Sequence, residues 1–406
     1  MEERKHGVSS YTRWICESIK KICTKHGPRP AGSESAARAM HDMRDLGCKF
    51  ADECELQPFT MHPSAFVGCF SLGAFFDLVG VDLFVLFLIY PYPVLSFLSG
   101  LSFLFSISVI FFEFCLYLQF TDKLYPRCQS HNLYLTRKAR GESKRKIILV
   151  GHCDSAYEMP FISHQPRFLF VLIIIGAAVG KFLGAAFGMA FAFFQPSGEL
   201  AVILGAVEVG LIVFFLPFLF FTDRDKAVLG ANDNLTGCYL GLSILKEMSD
   251  NEERLACTDV CCLITDGEES GLRGAFAFAK EKRCELIKNN ALVIAIDTIH
   301  DPKELMIYDR GINFTEKNGE RAAALLKKAA LASGIDIPKT PFYPGATDAE
   351  AFSREGIEAA GICAVSHGVC DYYHTLTDTH ENLSEGCIEL VRKILINAIK
   401  IYDKEA

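Results

Sequence analysis

The sequence predicts an α/β protein: a largely parallel, helix-covered mixed sheet interrupted by two transmembrane helical hairpins. Three observations carry this. Short apolar runs ending in polar residues recur, as in 146-KIILVGHCD-154, 257-CTDVCCLITD-266 and 291-ALVIAID-297, the pattern of strands buried on both faces. Helical patterns alternate with them, which argues crossover connections and a parallel sheet. Two long apolar blocks, 65–119 and 168–221, stand outside this alternation.

In chain order, 10–25 reads as a helix, followed by the loop 27-GPRPAGSES-35 and a second helix through about 46. A strand pair follows near 49–60 and 130–137, then the apolar runs above and 359-AAGICAV-365. Helical patterns lie at about 235–249, 270–282, 317–333, 349–355 and 384–403. The apolar blocks interrupt this domain rather than flank it. The expected division is one α/β domain (1–64, 119–166 and 222–406) and two hairpins, 65–118 and 167–221. Both ends of each hairpin return to one side, so the sheet closes around them.

Each block is roughly twice the ~20 residues that cross a bilayer, with a short break near its middle. Four spans are expected, about 65–90, 93–118, 167–192 and 200–221. They contain Asp77, Asp82, Glu113, Lys181 and Glu208; ionisable groups at such depth are costly and tend to be paired or functional. The turns inside the hairpins, 90–94 and 194–199, carry no Lys or Arg, whereas the outer ends carry Lys123, Arg127, Arg167, Arg224 and Lys226. Positive charge stays cytoplasmic, so the expectation is an integral protein of the plasma membrane with its α/β domain in the cytoplasm. No apolar stretch follows the first charged residues, so no cleavable signal is visible.

Sixteen cysteines show no small-domain disulfide spacing, and reduced core thiols are expected. The N-x-S/T triplets at Asn234, Asn313 and Asn382 carry no meaning in a cytoplasmic domain. A net charge of −8 gives no support to nucleic-acid binding.

The chemistry gathers at strand ends. His152 and Asp154 follow one run, Glu268 and Glu269 another, and Asp297 a third. Asp233 stands in 230-GANDNLTG-237 and His374 in 371-DYYHTLTDT-379. Ligands of open α/β sheets bind outside the carboxyl ends of strands, so groups far apart in sequence converge there. Each residue alone has a plainer reading. Glu268–Glu269 suits a helix start, Asn and Asp cap helices, and a lone His is usually structural.

Together the motifs resemble the co-catalytic zinc aminopeptidases, the twenty-eighth metallopeptidase family: H-x-D, A-x-D-N, E-E-x-G-L-x-G, a strand-end Asp and Y-H-T-x-x-D-T, spread from 27-GPRPAGSESAARAM-40 to 372-YYHTLTDT-379. The resemblance implies a zinc-exopeptidase-like (phosphorylase/hydrolase-like) sheet and two Zn2+ per chain bridged by Asp233. His152 and Asp297 complete one site, Glu269 and His374 the other. Glu268 is then the general base, Asp154 orients His152, and Tyr373 helps stabilise the oxyanion. Asp348 in 345-GATDAEAF-352 falls where the family often has an acidic residue.

The implied reaction is removal of N-terminal residues from peptides by activated water. Three rivals share parts of the pattern: an N-acyl amino acid deacylase, a single-zinc glutaminyl cyclase, and an inactive membrane receptor or scaffold. The cyclase pocket relies on Trp, and the one Trp here is Trp14, before the core. Receptors of this kind lose ligands, and all five plus the base are present.

Overall fold

A computed structural model of the chain describes residues 8–160, 167–196, 198–311, 319–341, 345–365 and 372–405. The first seven residues, Ser197 of the second hairpin turn, Asn313 and Asp371 lie outside them, as does the side chain of Arg167. Two compact units divide the chain: Met1–Pro63 with Arg127–Glu158 and Asp225–Ala406, and Ser64–Pro126 with Met159–Arg224.

The first unit is built on an eight-stranded sheet. Its strands are β1 (Glu53–Met61), β2 (Cys128–Arg137), β3 (Arg145–His152), β6 (Thr258–Thr265), β7 (Leu292–Ile299), β8 (Met306–Tyr308), β9 (Lys339–Thr340) and β10 (Glu358–Ala364); β4 (Tyr157–Glu158) and β5 (Asp223–Ala227) pair separately. The order is β1-β2-β6-β3-β7-β10-β8-β9. The central four, β6, β3, β7 and β10, are parallel, and the antiparallel pair β1–β2 and β8 join antiparallel. The strand-end residues of β3, β6 and β7 therefore emerge on one edge.

Alternate residues of each strand face opposite sides. Ile147, Leu149, Val260, Cys262, Leu292, Ile294 and Ile362 join one buried cluster with Ile15, Leu242, Leu326 and Leu395. Those last residues come from α1 (Ser10–His26), α3 (Thr236–Asp250), α5 (Glu320–Ala332) and α7 (Glu385–Lys404). On the other side, Phe278 of α4 (Arg273–Lys288) packs between Tyr134 and Phe352 of α6 (Ala349–Arg354). Serine caps start three helices: Ser9 accepts from Thr12 N at α1, Ser33 from Ala36 N at α2 (Glu34–Gly47), and Ser384 from Cys387 N at α7, each satisfying an orphan donor.

The cysteine expectation needs correction at one place. Cys48 and Cys54 form a disulfide between the end of α2 and the start of β1. The tight turn between those elements brings their Cα atoms to 5.6 Å, within bridging range. The other described cysteines are thiols, Cys284 among them exposed; Cys370 lies outside the described residues.

The second unit contains four helices long and apolar enough to cross a membrane: Ala65–Ile89, Pro93–Cys115, Phe168–Phe194 and Glu199–Phe220. Gly176, Gly180, Gly184 and Gly188 recur every fourth residue along the third. A Cβ on Gly188 would lie 2.4 Å from Gly100 N, so the third and second helices meet backbone to backbone. Serine hydroxyls satisfy carbonyls across these contacts, Ser96 on Gly188 O (2.7 Å) and Ser106 on Gly73 O (2.9 Å). Lys181 pairs with buried Asp77 and donates to Ser106 Oγ at 2.8 Å. Glu113 accepts from Thr121 N at 2.7 Å. Glu208 is buried; Asp82 lies on an exposed face.

Candidate metal centre

His152 is the last residue of β3, and Asp297 stands near the end of the adjacent β7. Glu268 and Glu269 follow β6 on the other side of β3. Helix α4 begins only at Arg273, so the glutamate pair sits in the strand-to-helix loop and is not first-turn charge. Gly267 (φ 78°) and Gly271 (φ 90°) turn that loop in the left-handed region, which glycine enters without steric cost. Asp233 comes from the turn before α3, where the Asp233–Asn234 peptide is cis. His374 comes from the loop before α7.

These segments converge. His152 Nε2 lies 3.2 Å from Asp233 Oδ1, 3.8 Å from Glu268 Oε2 and 3.9 Å from Asp297 Oδ1. His374 Nε2 lies 3.3 Å from Asp233 Oδ2 and 3.2 Å from Glu269 Oε2. Three sets have a ligand atom of every member within 4.8 Å of the others: His152–Asp233–Asp297, Asp233–Glu269–His374 and His152–Glu268–Glu269. The first two share Asp233, one carboxylate oxygen facing each imidazole.

The donors fit zinc. They are imidazole nitrogens and carboxylate oxygens, the borderline set zinc takes. His152 Nε2 and Glu269 Oε1 are buried and lack a hydrogen bond, which native interiors rarely tolerate without an ion or water.

The charge balance says the same. Burial alone would lower the imidazoles, yet surrounding carboxylates overrule it. Glu268, Asp154, Asp233 and Asp297 hold His152 well above its ordinary value, and Glu269 and Asp233 push His374 up to about 10. Burial raises Glu268 most, and Asp297, Glu269 and Asp348 raise it further. Burial pushes Asp233 up too, but the two imidazoles beside it win and hold it below the carboxylate range. The site is an excess of buried negative charge in want of cations.

Asp154 reaches both sides of this arrangement. Its oxygens accept Glu268 N (3.2 Å) and Glu269 N (3.1 Å). Its backbone carbonyl lies 3.1 Å from His152 Nδ1, closer than its carboxylate at 3.5 Å. The His152 tautomer is thus set mainly by a main-chain oxygen, while the carboxylate fixes the glutamate loop. Tyr373 stacks on His374, ring centroids 4.1 Å apart. Asp348 is buried and accepts from Thr265 Oγ1 at 2.7 Å.

Two contributors were not singled out as site residues by the sequence. Arg29, fully buried, donates to the carbonyls of Cys153 (2.9 Å), Leu229 (2.9 Å), Gly230 (3.1 Å) and Gly27 (3.0 Å). It clamps the loop after β3 to the turn that carries Asp233. Asn234 Nδ2 donates to Ile296 O at 2.8 Å, beside Asp297. A Cβ on Gly237 would lie 2.3 Å from that same carbonyl, so glycine there lets the turn close on β7. The only hints were the Arg within 27-GPRPAG-32 and the N-L-T-G after Asp233.

The model of peptidase family M28 matches residues 215–399, and a search of curated proteins finds no match. The fold is similar to an aminopeptidase from Aneurinibacillus sp. strain AM-1 (TM-score 0.56, 14% identity, covering 96% of this chain and 93% of that one). It is likewise similar to BSAP, a zinc aminopeptidase from Bacillus subtilis (0.56, 11%, 98% and 96%), and to a glutaminyl cyclase from an Acidobacteriales bacterium (0.57, 12%, 100% and 99%). Asp233, the glutamate pair, Asp297 and His374 all lie inside the stretch that matches peptidase family M28, and the fold is similar to that of zinc aminopeptidases.

Proposed function

We propose that the protein is a membrane-anchored co-catalytic aminopeptidase that removes N-terminal residues from peptides. The observation that carries this is Asp233, one oxygen toward His152 and the other toward His374, joining two ligand sets into one pair of sites. His152, Asp233 and Asp297 would hold one zinc ion, and Asp233, Glu269 and His374 the other.

Zinc in such a site polarises the scissile carbonyl and makes water a nucleophile near neutral pH. The chain's own groups do the rest. Glu268 takes a proton from the attacking water and returns it to the leaving amine, as general acid–base catalysis requires. Asp154 holds the backbone of Glu268 and Glu269 so that one is free while the other binds. The Tyr373 hydroxyl donates to the carbonyl oxygen as it gains charge, its ring set by stacking on His374.

Glutaminyl cyclisation is the second reading, because cyclases share the fold. Trp14 packs edge-on against Phe50 and Tyr239, so the single Trp serves the core. Deacylation of N-acyl amino acids needs the same residues, and a receptor or scaffold role would leave them idle. Zinc content measured with a panel of aminoacyl-nitroanilides, N-acyl amino acids and N-terminal glutaminyl peptides separates the four. Two ions per chain with aminoacyl release supports the proposal; one ion with cyclisation overturns it.

A further inference from the structure

We propose that Asp378 is a positioning residue of the metal centre, its carboxylate fixing the backbone that carries Asp233 and tying it to the loop that carries His374. The proposal rests on Asp233 and His374 being ligands.

Asp378 is fully buried. Its Oδ1 accepts Asn232 N (2.8 Å) and Asn232 Nδ2 (2.9 Å), and its Oδ2 accepts Asp233 N (3.1 Å). Three N–H donors thus converge on one carboxylate, two of them main-chain groups at Asp233 and the residue before it. The loop on the other side is folded onto itself. Asp378 N donates to Thr375 O (3.1 Å), Asn382 Nδ2 to Thr377 O (2.9 Å), and Asn232 Nδ2 also reaches Asn382 Oδ1 (2.9 Å). His374 stands four residues before Asp378 with φ 55°.

Asp233 must place its two oxygens against two imidazoles at once, so a small shift of its backbone disturbs both ligand sets together. Glu268 hangs from Asp154 instead, so the proton-transfer group is positioned independently. An amide at 378 keeps the shape but offers an NH2 group where one oxygen now accepts an N–H. That substitution loses at least one bond and sets donor against donor in a dry site, where unpaired polar groups are costly.

The test uses the full chain in detergent, comparing the parent with Asp378→Asn and His374→Ala. Zinc affinity is measured by competition with a chromophoric chelator, the Co2+-loaded protein by visible absorption, and folding by circular dichroism. The expected result is a folded Asp378→Asn that holds zinc roughly tenfold to a hundredfold more weakly with a shifted cobalt band. A folded Asp378→Asn with parental affinity and cobalt spectrum overturns the proposal. Should that variant not fold, Asn232→Ala decides, since it removes one of the three donors: weakened zinc binding supports the role and parental affinity overturns it. His374→Ala separates the two levels. If it binds zinc as the parent does, the ligand reading itself fails, whatever Asp378→Asn shows.

Discussion

Glu269 sets Oε2 3.2 Å from Nε2 of His374, whereas its chain neighbour Glu268 points toward His152, 3.8 Å from that Nε2. Adjacent carboxylates leaving a strand thus serve opposite halves of one centre. Glu268→Gln should keep both metal ions and lower hydrolysis of aminoacyl-nitroanilides by about 10²–10⁴-fold, the usual worth of a positioned base. Glu269→Gln should lose one ion and activity together. Elemental analysis beside single-substrate kinetics checks both, and an active, metal-loaded Glu268→Gln would remove the proposed base.

Arg29 makes a different prediction, because it touches no proposed ligand side chain. Its guanidinium satisfies four carbonyls, and those of Cys153 and Gly230 lie in the two ligand loops. Arg29→Met fills similar volume but leaves these acceptors unpaired, each a loss of about 1–3 kcal/mol when water cannot replace the donor. The variant should unfold at distinctly lower temperature and bind zinc more weakly. Arg29→Lys recovers only part of this, since an ammonium cannot reproduce the planar fork. Thermal melts with and without added zinc measure both effects.

What could be read in the sequence follows from burial. The parallel strands β3, β6, β7 and β10 are covered on both faces, so they appear as unbroken apolar runs, and the spans do so at greater length. The polar residues that end those runs line the candidate site, which is why His152, Glu268, Glu269 and Asp297 could be picked out as candidates. Strand β8, three residues, and β9, two residues, are too short to show a period. Arg29 and Asp378 act through contacts 124 and 145 residues away in the chain, which no local spacing encodes. The Cys48–Cys54 bond was hidden because a sequence separation of six says nothing until the turn that closes it is known. The start of α4, expected at 270 and found at Arg273, shows the glutamate loop using residues that helix periodicity had claimed.

Metal binding should be tied to protons. In the metal-free site Glu269 and Asp233 hold His374 protonated, with its pKa pushed up to about 10, and His152 is shifted the same way. Zinc takes only neutral imidazole, so binding must expel these protons. The sign is fixed: below about pH 10 each step down in pH adds competition from protons, and apparent zinc affinity falls by about tenfold per unit for every proton released. Isothermal titration in buffers of different ionisation heat should show proton release near neutral pH. His374→Gln, which carries no titrating proton, should release fewer. Equal release from parent and variant would mean that His374 is not held charged in the metal-free protein.

The membrane orientation rests on Lys123, Arg127, Arg224 and Lys226 at the outer ends of the spans, against a first hairpin turn at 90–94 with no Lys or Arg. On that charge bias we propose that the catalytic unit lies in the cytoplasm. The Cys48–Cys54 bond pulls the other way, since disulfides persist in oxidising compartments. A membrane-impermeant maleimide can decide between them. Cys238 is no reporter, being fully buried, whereas Cys284 is free and exposed. With a cytoplasmic catalytic unit, Cys284 stays unlabelled in sealed cells and reacts after permeabilisation, its signal identified by loss in Cys284→Ser. Tyr92→Cys, in the exposed hairpin turn, should show the opposite order, reacting before permeabilisation. Labelling of Cys284 in sealed cells would reverse the orientation, and the Cys48–Cys54 bond would then face the environment in which such bonds last.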